Sequence, residues 1–230
     1  MNIQDKGAGR AGGPKGDGAE ASCKLRLAAG QDPAKRLQIL DGAYRVIERM
    51  GYDAASVNDI AREAGVSKGT IYVYFSDKED MFEALMAHKR EQIFDALDAE
   101  LKKDGTTAER LRRYAIRKTT ELCSDPVIRA HRVIIGVTER MPEMGLRFYE
   151  RGNTRGSKIL QDFLGEEVAA GRLAIPDVQL AAAQFFELSM AGLFRRRLFG
   201  HLPKPPTEAE IARIVDAALE MFLCRYGVEA

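Results

Sequence analysis

The sequence predicts an all-α fold, with a small N-terminal helix-turn-helix head and a larger helical body. Three observations carry this. Apolar residues recur at helical spacing along most of the chain, and no stretch alternates convincingly at strand period. Helix-start signals repeat: Asp32-Pro33, Ser56-x-x-Asp59, Ser76-x-x-Glu79 and Thr207-x-x-Glu210 each set a capping side chain before an amphipathic run. Gly51, Gly65 and Gly171 stand where such runs stop. Read this way, the chain holds about nine helices in all.

Composition narrows the function classes. A chain of 230 residues suits one or two domains with a substantial core. The net charge is +1, so nucleic-acid binding would have to come from a local surface, doubled in a dimer. Cys23, Cys123 and Cys224 are far apart with no CxxC, which argues against a disulfide framework and a zinc site. His88, His131 and His201 are equally scattered. There is no nucleophile elbow, HExxH, phosphate-binding glycine loop or His/Cys cluster, so neither an enzyme nor a cofactor or metal is expected. No apolar run approaches ~18 residues, and no signal peptide is visible. A cytoplasmic protein with no membrane partner is the expectation.

Residues 1–32 are rich in Gly and Ala with almost no bulky apolar groups, and are expected to form a disordered tail. Lys6, Arg10, Lys15, Lys24 and Arg26 suggest a DNA-brushing arm, but Asp5, Asp17, Glu20 and Asp32 offset them. The first helix opens at Asp32-Pro33 and carries Leu37, Leu40, Ala43, Tyr44, Ile47 and Met50 on its expected inner face. Lys35 and Arg36 are phosphate candidates near its start.

Ser56 to Lys78 organises the rest. Ser56 and Asp59 make a capping box, and Val57, Ile60, Ala61 and Ala64 follow as an apolar stripe. Gly65 makes the turn, Val66 tucks beneath it, and Ser67 caps the next helix at once. There Ile71 and Phe75 face inward, while Lys68, Thr70, Tyr72 and Tyr74 face out. This is a helix-turn-helix whose second helix is shaped for a major groove.

The string Ile71-Tyr72-Val73-Tyr74-Phe75, running into Ser76-Asp77-Lys78-Glu79, resembles the tetracycline-repressor (TetR) family. That family's recognition helix commonly ends Tyr-x-(Tyr/His)-Phe before an Asn/Asp-Lys-(Glu/Asp) cap. The close resemblance covers about Pro33 to Phe82. It implies a head over 33–78 that binds double-stranded operator DNA, with reading positions at Lys68, Gly69, Thr70 and Tyr72 beside the cap Ser67. Lys68 has the reach for guanine O6/N7, and Thr70 suits a base edge or a thymine methyl. Gly69 permits close approach but reads nothing itself. Tyr74 and Lys78 would anchor phosphates, as would the helix N-terminus at Ser56, Val57 and Asn58.

Residues 79–230 are then the effector-binding and dimerisation domain. A long helix from about Asp77 to Lys102 joins the two parts as a lever. Further helices are expected over 107–123, from Pro126 to about Arg140, over 142–170, and from Val178 to Phe199 without a break. The last of these is apolar on most of its circumference. With the final helix after Thr207, whose stripe includes Ile211, Val215 and Phe222, it is expected to form a four-helix homodimer interface. Arg195-Arg196-Arg197 reads as a solvated helix end.

The segments MPEMGLRFYERG and LAAAQFFELSMAGLF resemble effector halves of some TetR relatives, which enclose a small-molecule pocket. Candidate lining residues are His131, Met144, Phe148, Phe163, Phe186 and Met190, with Ala191 beside them. Gln184, Glu187, Ser189 and Arg147 are further polar candidates. Met and Phe at helical spacing equally serve a packed core. The expectation is a homodimeric repressor released by a small hydrophobic or aromatic effector. A helical protein-interaction module and a ligand-independent regulator are the alternatives.

Overall fold

The computed structural model describes residues 30–228, with side chains omitted at 151–154. Most of the expected tail, including Lys6 to Arg26, lies outside these residues. Ten helices run through the described residues: α1 Pro33–Met50, α2 Val57–Ala64, α3 Lys68–Tyr74, α4 Lys78–Lys102, α5 Thr107–Leu122, α6 Asp125–Thr138, α7 Pro142–Ala169, α8 Val178–Leu188, α9 Phe194–Leu198 and α10 Glu208–Tyr226. Among the described residues the one extended pairing is an isolated antiparallel bridge between Leu173 and Gly227.

The caps form as the sequence requires. Asp32 accepts from the backbone of Ala34 and Lys35, and Ser56, Thr106 and Thr207 each form a reciprocal capping box. Gly65 is left-handed (φ 65°) between α2 and α3. The long-helix cap differs in detail: Asp77, not Ser76, is the N-cap residue, and Asp77 accepts from the backbone of Asp80.

The inner face of α1 is rotated from the expected stripe. Leu37 and Met50 are 41% and 43% exposed, whereas Ile39, Leu40, Gly42, Ala43 and Val46 are buried. The reason is the α1–α2 crossing. A Cβ added at Gly42 would stand 2.6 Å from the Ala64 Cβ, so the glycine lets the two helices touch and sets which face turns inward.

Helix α4 belongs to two cores. Met81 and Leu85 pack with α1, α2 and α3, while Phe94, Leu97 and Leu101 pack with α5, α7, α8 and α10. Between them a small cluster joins Tyr52, Phe82, Ile134 and Met144, which come from the α1–α2 loop, α4, α6 and α7. A buried carboxylate pins the body: Glu167 on α7 accepts from the Thr107 hydroxyl and pairs with Arg110 (3.1 Å) and Arg172 (2.7 Å).

The predicted continuous helix from Val178 to Phe199 is broken. Helix α8 stops at Leu188, Gly192 takes φ 72°, and α9 begins at Phe194. A left-handed residue cannot continue a right-handed helix. The freed carbonyl groups are taken by α5, because the Thr119 hydroxyl donates to Ser189 O (2.9 Å) and the Lys118 ammonium donates to Phe186 O. The arginine triplet also departs from expectation. Arg195 and Arg196 are exposed, but Arg197 is buried and donates to the carbonyls of Cys123 (2.9 Å) and Leu202 (2.8 Å) and to Asp125.

Val215 and Phe222 face their own protomer's core, where Phe222 packs on Phe185 with ring centroids 4.9 Å apart. The outer side of the same two helices carries Leu180 and Met221, 52% and 59% exposed.

Candidate nucleic-acid interface and buried cavity

The head presents α3 along one side. Ile71 and Phe75 anchor it in the core, leaving Lys68 and Gly69 exposed, Tyr72 and Val73 about half exposed, and Thr70 and Tyr74 partly buried. The start of α3 is pinned twice at Thr70: its backbone N–H donates to the Ser67 hydroxyl (3.0 Å), and the two hydroxyls lie 2.8 Å apart. The Lys68 ammonium lies 5.9 Å from the Tyr72 ring centroid, so a cation and an aromatic face are displayed together. Ser56 and Asn58 are exposed at the start of α2, with Val57 partly buried. Lys78 sits over the Tyr52 ring (4.3 Å) and donates to Asp53 O (3.4 Å). Arg36, noted above for phosphate, lies over the Phe75 ring (5.1 Å). Gln38 adds a brace invisible in the sequence, donating from Nε2 to Ala64 O (2.7 Å) at the end of α2.

A cavity of ≈ 1420 Å³, open to solvent on one side, lies between the body and the head and is bordered by α1, the α1–α2 loop, α4, α5, α6, α7 and α8. Three of the six predicted lining residues reach it: His131, Phe148 and Phe186. Met144 is buried instead in the Tyr52–Phe82–Ile134 cluster. Phe163 is covered by the Arg110 guanidinium (4.5 Å), and Met190 is buried away from the cavity wall. Ala191 is exposed on the α8–α9 turn and does not border the space. All three displacements have one cause: helical spacing marks a buried face but not whether a neighbouring helix or an empty space covers it.

Among the polar candidates, Glu187 lines the cavity, and Ser189 is buried behind it against Lys118. Gln184 accepts from the Tyr226 hydroxyl (3.3 Å), and Arg147 pairs with Glu83 across α7 and α4 (2.5 Å). The His131 ring stands edge-on to Phe148 (5.3 Å) and Phe194 (5.2 Å). Its Nδ1 lies 2.8 Å from Val127 O, which places the ring proton on Nδ1. Burial pushes the His131 pKa down; the hydrogen bond to Val127 opposes this, and the Arg90 charge adds to the lowering. Tyr52 and Lys118 are among the lining residues that the sequence does not mark. Tyr52 lies in a loop, where no periodicity marks it. Lys118 lies on α5 among the charged residues Arg112, Arg113 and Arg117, and reads as one more solvated cation.

Comparison with known proteins agrees with this layout. Residues 39–85 match the family described as bacterial regulatory proteins, tetR family. Residues 109–228 match the AefR-like transcriptional repressor C-terminal domain. The fatty acid metabolism regulator protein of Bacillus subtilis (strain 168) is 31% identical over 68% of this chain and 80% of its own length. A TetR-family regulator structure from Mesorhizobium loti MAFF303099 superposes with TM-score 0.78 at 28% identity, covering 85% of this chain and 98% of that one. The flavonoid-responsive regulator FrrA superposes with TM-score 0.65 at 28% identity, covering 86% of this chain and 100% of the other. No helix among the described residues is long and apolar enough to cross a membrane. Head and body thus match the two halves of one architecture, and the chain belongs to the TetR family of bacterial transcriptional regulators.

Proposed function

We propose that the protein is a homodimeric repressor that binds a palindromic operator through residues 33–78 and is released when an apolar effector fills the cavity that the effector-binding and dimerisation domain, residues 79–230, forms against α1 and the α1–α2 loop. The observation that carries this reading is shared lining. Tyr52 and Phe82 border the cavity, and both also join the cluster that ties the α1–α2 loop to α6 and α7. A ligand that prefers one arrangement of that cluster shifts the position of the head by its differential affinity for the two states. The exposed Leu180 and Met221 supply an apolar outer face on α8 and α10 for a second copy. Two such heads would set α3 in successive major grooves about 34–36 Å apart or somewhat more. Similarity to a fatty acid metabolism regulator and to a flavonoid-responsive regulator supports an effector with a large apolar body.

The test is selection of bound fragments from a genomic library, followed by a screen of apolar compounds against the recovered DNA. A palindromic site released by a cavity ligand is the expected result. Salt-insensitive or absent DNA binding would overturn the reading. Binding that no apolar compound relieves would leave a ligand-independent regulator.

A further inference from the structure

At the border of the cavity one cation is held almost entirely out of water. Lys118 borders the space yet its side chain is 1% exposed. Its ammonium donates to Phe186 O and to the Ser189 hydroxyl (2.7 Å), and lies 4.0 Å from the Phe186 ring centroid. An ammonium has three donors, and a carbonyl and a hydroxyl engage two. Among the described residues no carboxylate forms an ion pair with it, and Glu187 on α8 attracts it from farther away. Of the other lining cations, Arg117 pairs with Glu121 (2.9 Å) and Arg129 faces Glu48 (3.9 Å), while Lys89 and Arg132 reach solvent, Lys89 over the Tyr44 ring (4.4 Å) and Arg132 donating to the carbonyls of Leu198 and Arg197 (2.8 Å each).

Given that the cavity is the effector site, we infer that Lys118 is its recognition group for a carboxylate borne at one end of an apolar ligand. An unpaired buried charge is costly, and an incoming anion removes that cost where water cannot screen the pair. Phe186 beside it and Phe148 in the same wall offer apolar surface to the rest of the ligand. A neutral or cationic head group offers the ammonium no counter-charge.

The protonation of Lys118 supplies a second signature. Burial lowers its pKa to about 7, opposed by attraction from Glu187 and Cys123. The charged or titratable neighbours are Arg117 and Glu121 on α5, Tyr114 one turn back, Glu187 on α8, and Cys123 with Arg197 beyond it. None of these is a carboxylate within ion-pair reach, so at pH 8 much of Lys118 is neutral, and capture of an anion must recruit a proton.

Lys118 also braces the end of α8, so a loss of stability on substitution would not separate a supporting role from recognition. Isothermal titration with decanoate and with 1-decanol, at pH 8 in two buffers of different ionisation enthalpy, does. For the wild type the expected result is decanoate binding with uptake approaching one proton, and decanol binding with none. In Lys118→Met, decanoate should weaken by about tenfold or more while decanol stays within about threefold, and the uptake should vanish. Equal weakening of both probes, or wild-type decanoate binding without proton uptake, would overturn the inference. So would uptake that persists in the variant, which would assign it to His131. Because the uptake is read on the wild type, the inference stays open to refutation even if the variant misfolds. Decanol binding with decanoate excluded refutes the role of Lys118 alone. Binding of neither probe refutes the cavity as an effector site and this inference with it.

Discussion

The rings of Tyr52 and Phe82 meet 4.6 Å apart, tilted by 50°, at the point where the head rests on the body. Tyr52 also donates to Glu79 (3.2 Å) and lies under the Lys78 ammonium. One loop residue therefore touches the first turn of α4, a phosphate candidate and the cavity wall. Phe82→Leu keeps an apolar side chain but removes the ring face, at a cost of about 1 kcal/mol. We expect operator affinity within about threefold of wild type but roughly tenfold more effector needed for release. Fluorescence anisotropy of labelled operator, titrated with effector, checks this. An unchanged effector requirement would show that the head is not controlled through this contact.

Readout and anchoring should separate on α3 and α4. Lys68→Ala removes an exposed donor and should relax base preference by about 1–3 kcal/mol at one position per half-site. Lys78→Ala should weaken all sequences alike and reduce the salt slope by about one unit per protomer. Thr70→Ala should do more than change readout, because Thr70 also bonds Ser67 at the start of α3. Binding to a panel of single-base operator variants at several salt concentrations distinguishes these outcomes.

For assembly, the informative positions lie on the outer face. Leu180→Glu or Met221→Glu should leave circular dichroism and melting close to wild type while giving a monomer in sedimentation, with operator binding lost. Phe222→Glu instead places a charge in the protomer's own core and should unfold it. A dimer that survives both outer substitutions would locate the interface elsewhere.

Within the arginine triplet, roles differ by burial. Arg197→Ala deletes a guanidinium that satisfies Cys123 O and Leu202 O and pairs with Asp125, and should cost about 3 kcal/mol or more. Arg195→Ala and Arg196→Ala should stay within about 0.5 kcal/mol. Urea denaturation of the three variants provides the comparison, and DNA affinity should be unchanged for the last two.

Stability should depend on pH through Lys118. Its folded pKa is lowered to about 7, whereas an unfolded lysine titrates near ~10.4. From pH 7 upward, until its own titration, the unfolded chain holds the extra proton, so this group makes the wild type more stable as pH rises. One such group gives a slope of up to about 1.4 kcal/mol per pH unit. Lys118→Met should lack this component, so its stability relative to wild type falls between pH 7 and pH 9. Parallel urea titrations at the two pH values would show a constant difference if Lys118 did not titrate.

The sequence by itself determined the helix-turn-helix within the head. The Ser56–Asp59 box, Gly65, Ser67, and the inward pair Ile71 and Phe75 are local signals acting over at most a few turns, and each lies where its chemistry placed it. The break after α8 was in principle local too, since Gly192 adopts the left-handed conformation. Its apolar neighbours hid it, because a greasy run reads as one helix until a carbonyl acceptor is seen to bond elsewhere. Only the tertiary structure decided which apolar face met a helix and which met empty space. Met144, Phe163 and Met190 share their residue types and spacing with Phe148 and Phe186, yet only the latter two face the cavity. Likewise Lys118 is solvated by sequence context and buried by packing, because α8 ends against α5 some seventy residues along the chain from it. Caps and turns are set by neighbours in the chain. A cavity is set by what the remaining helices fail to fill, and no local pattern encodes an absence.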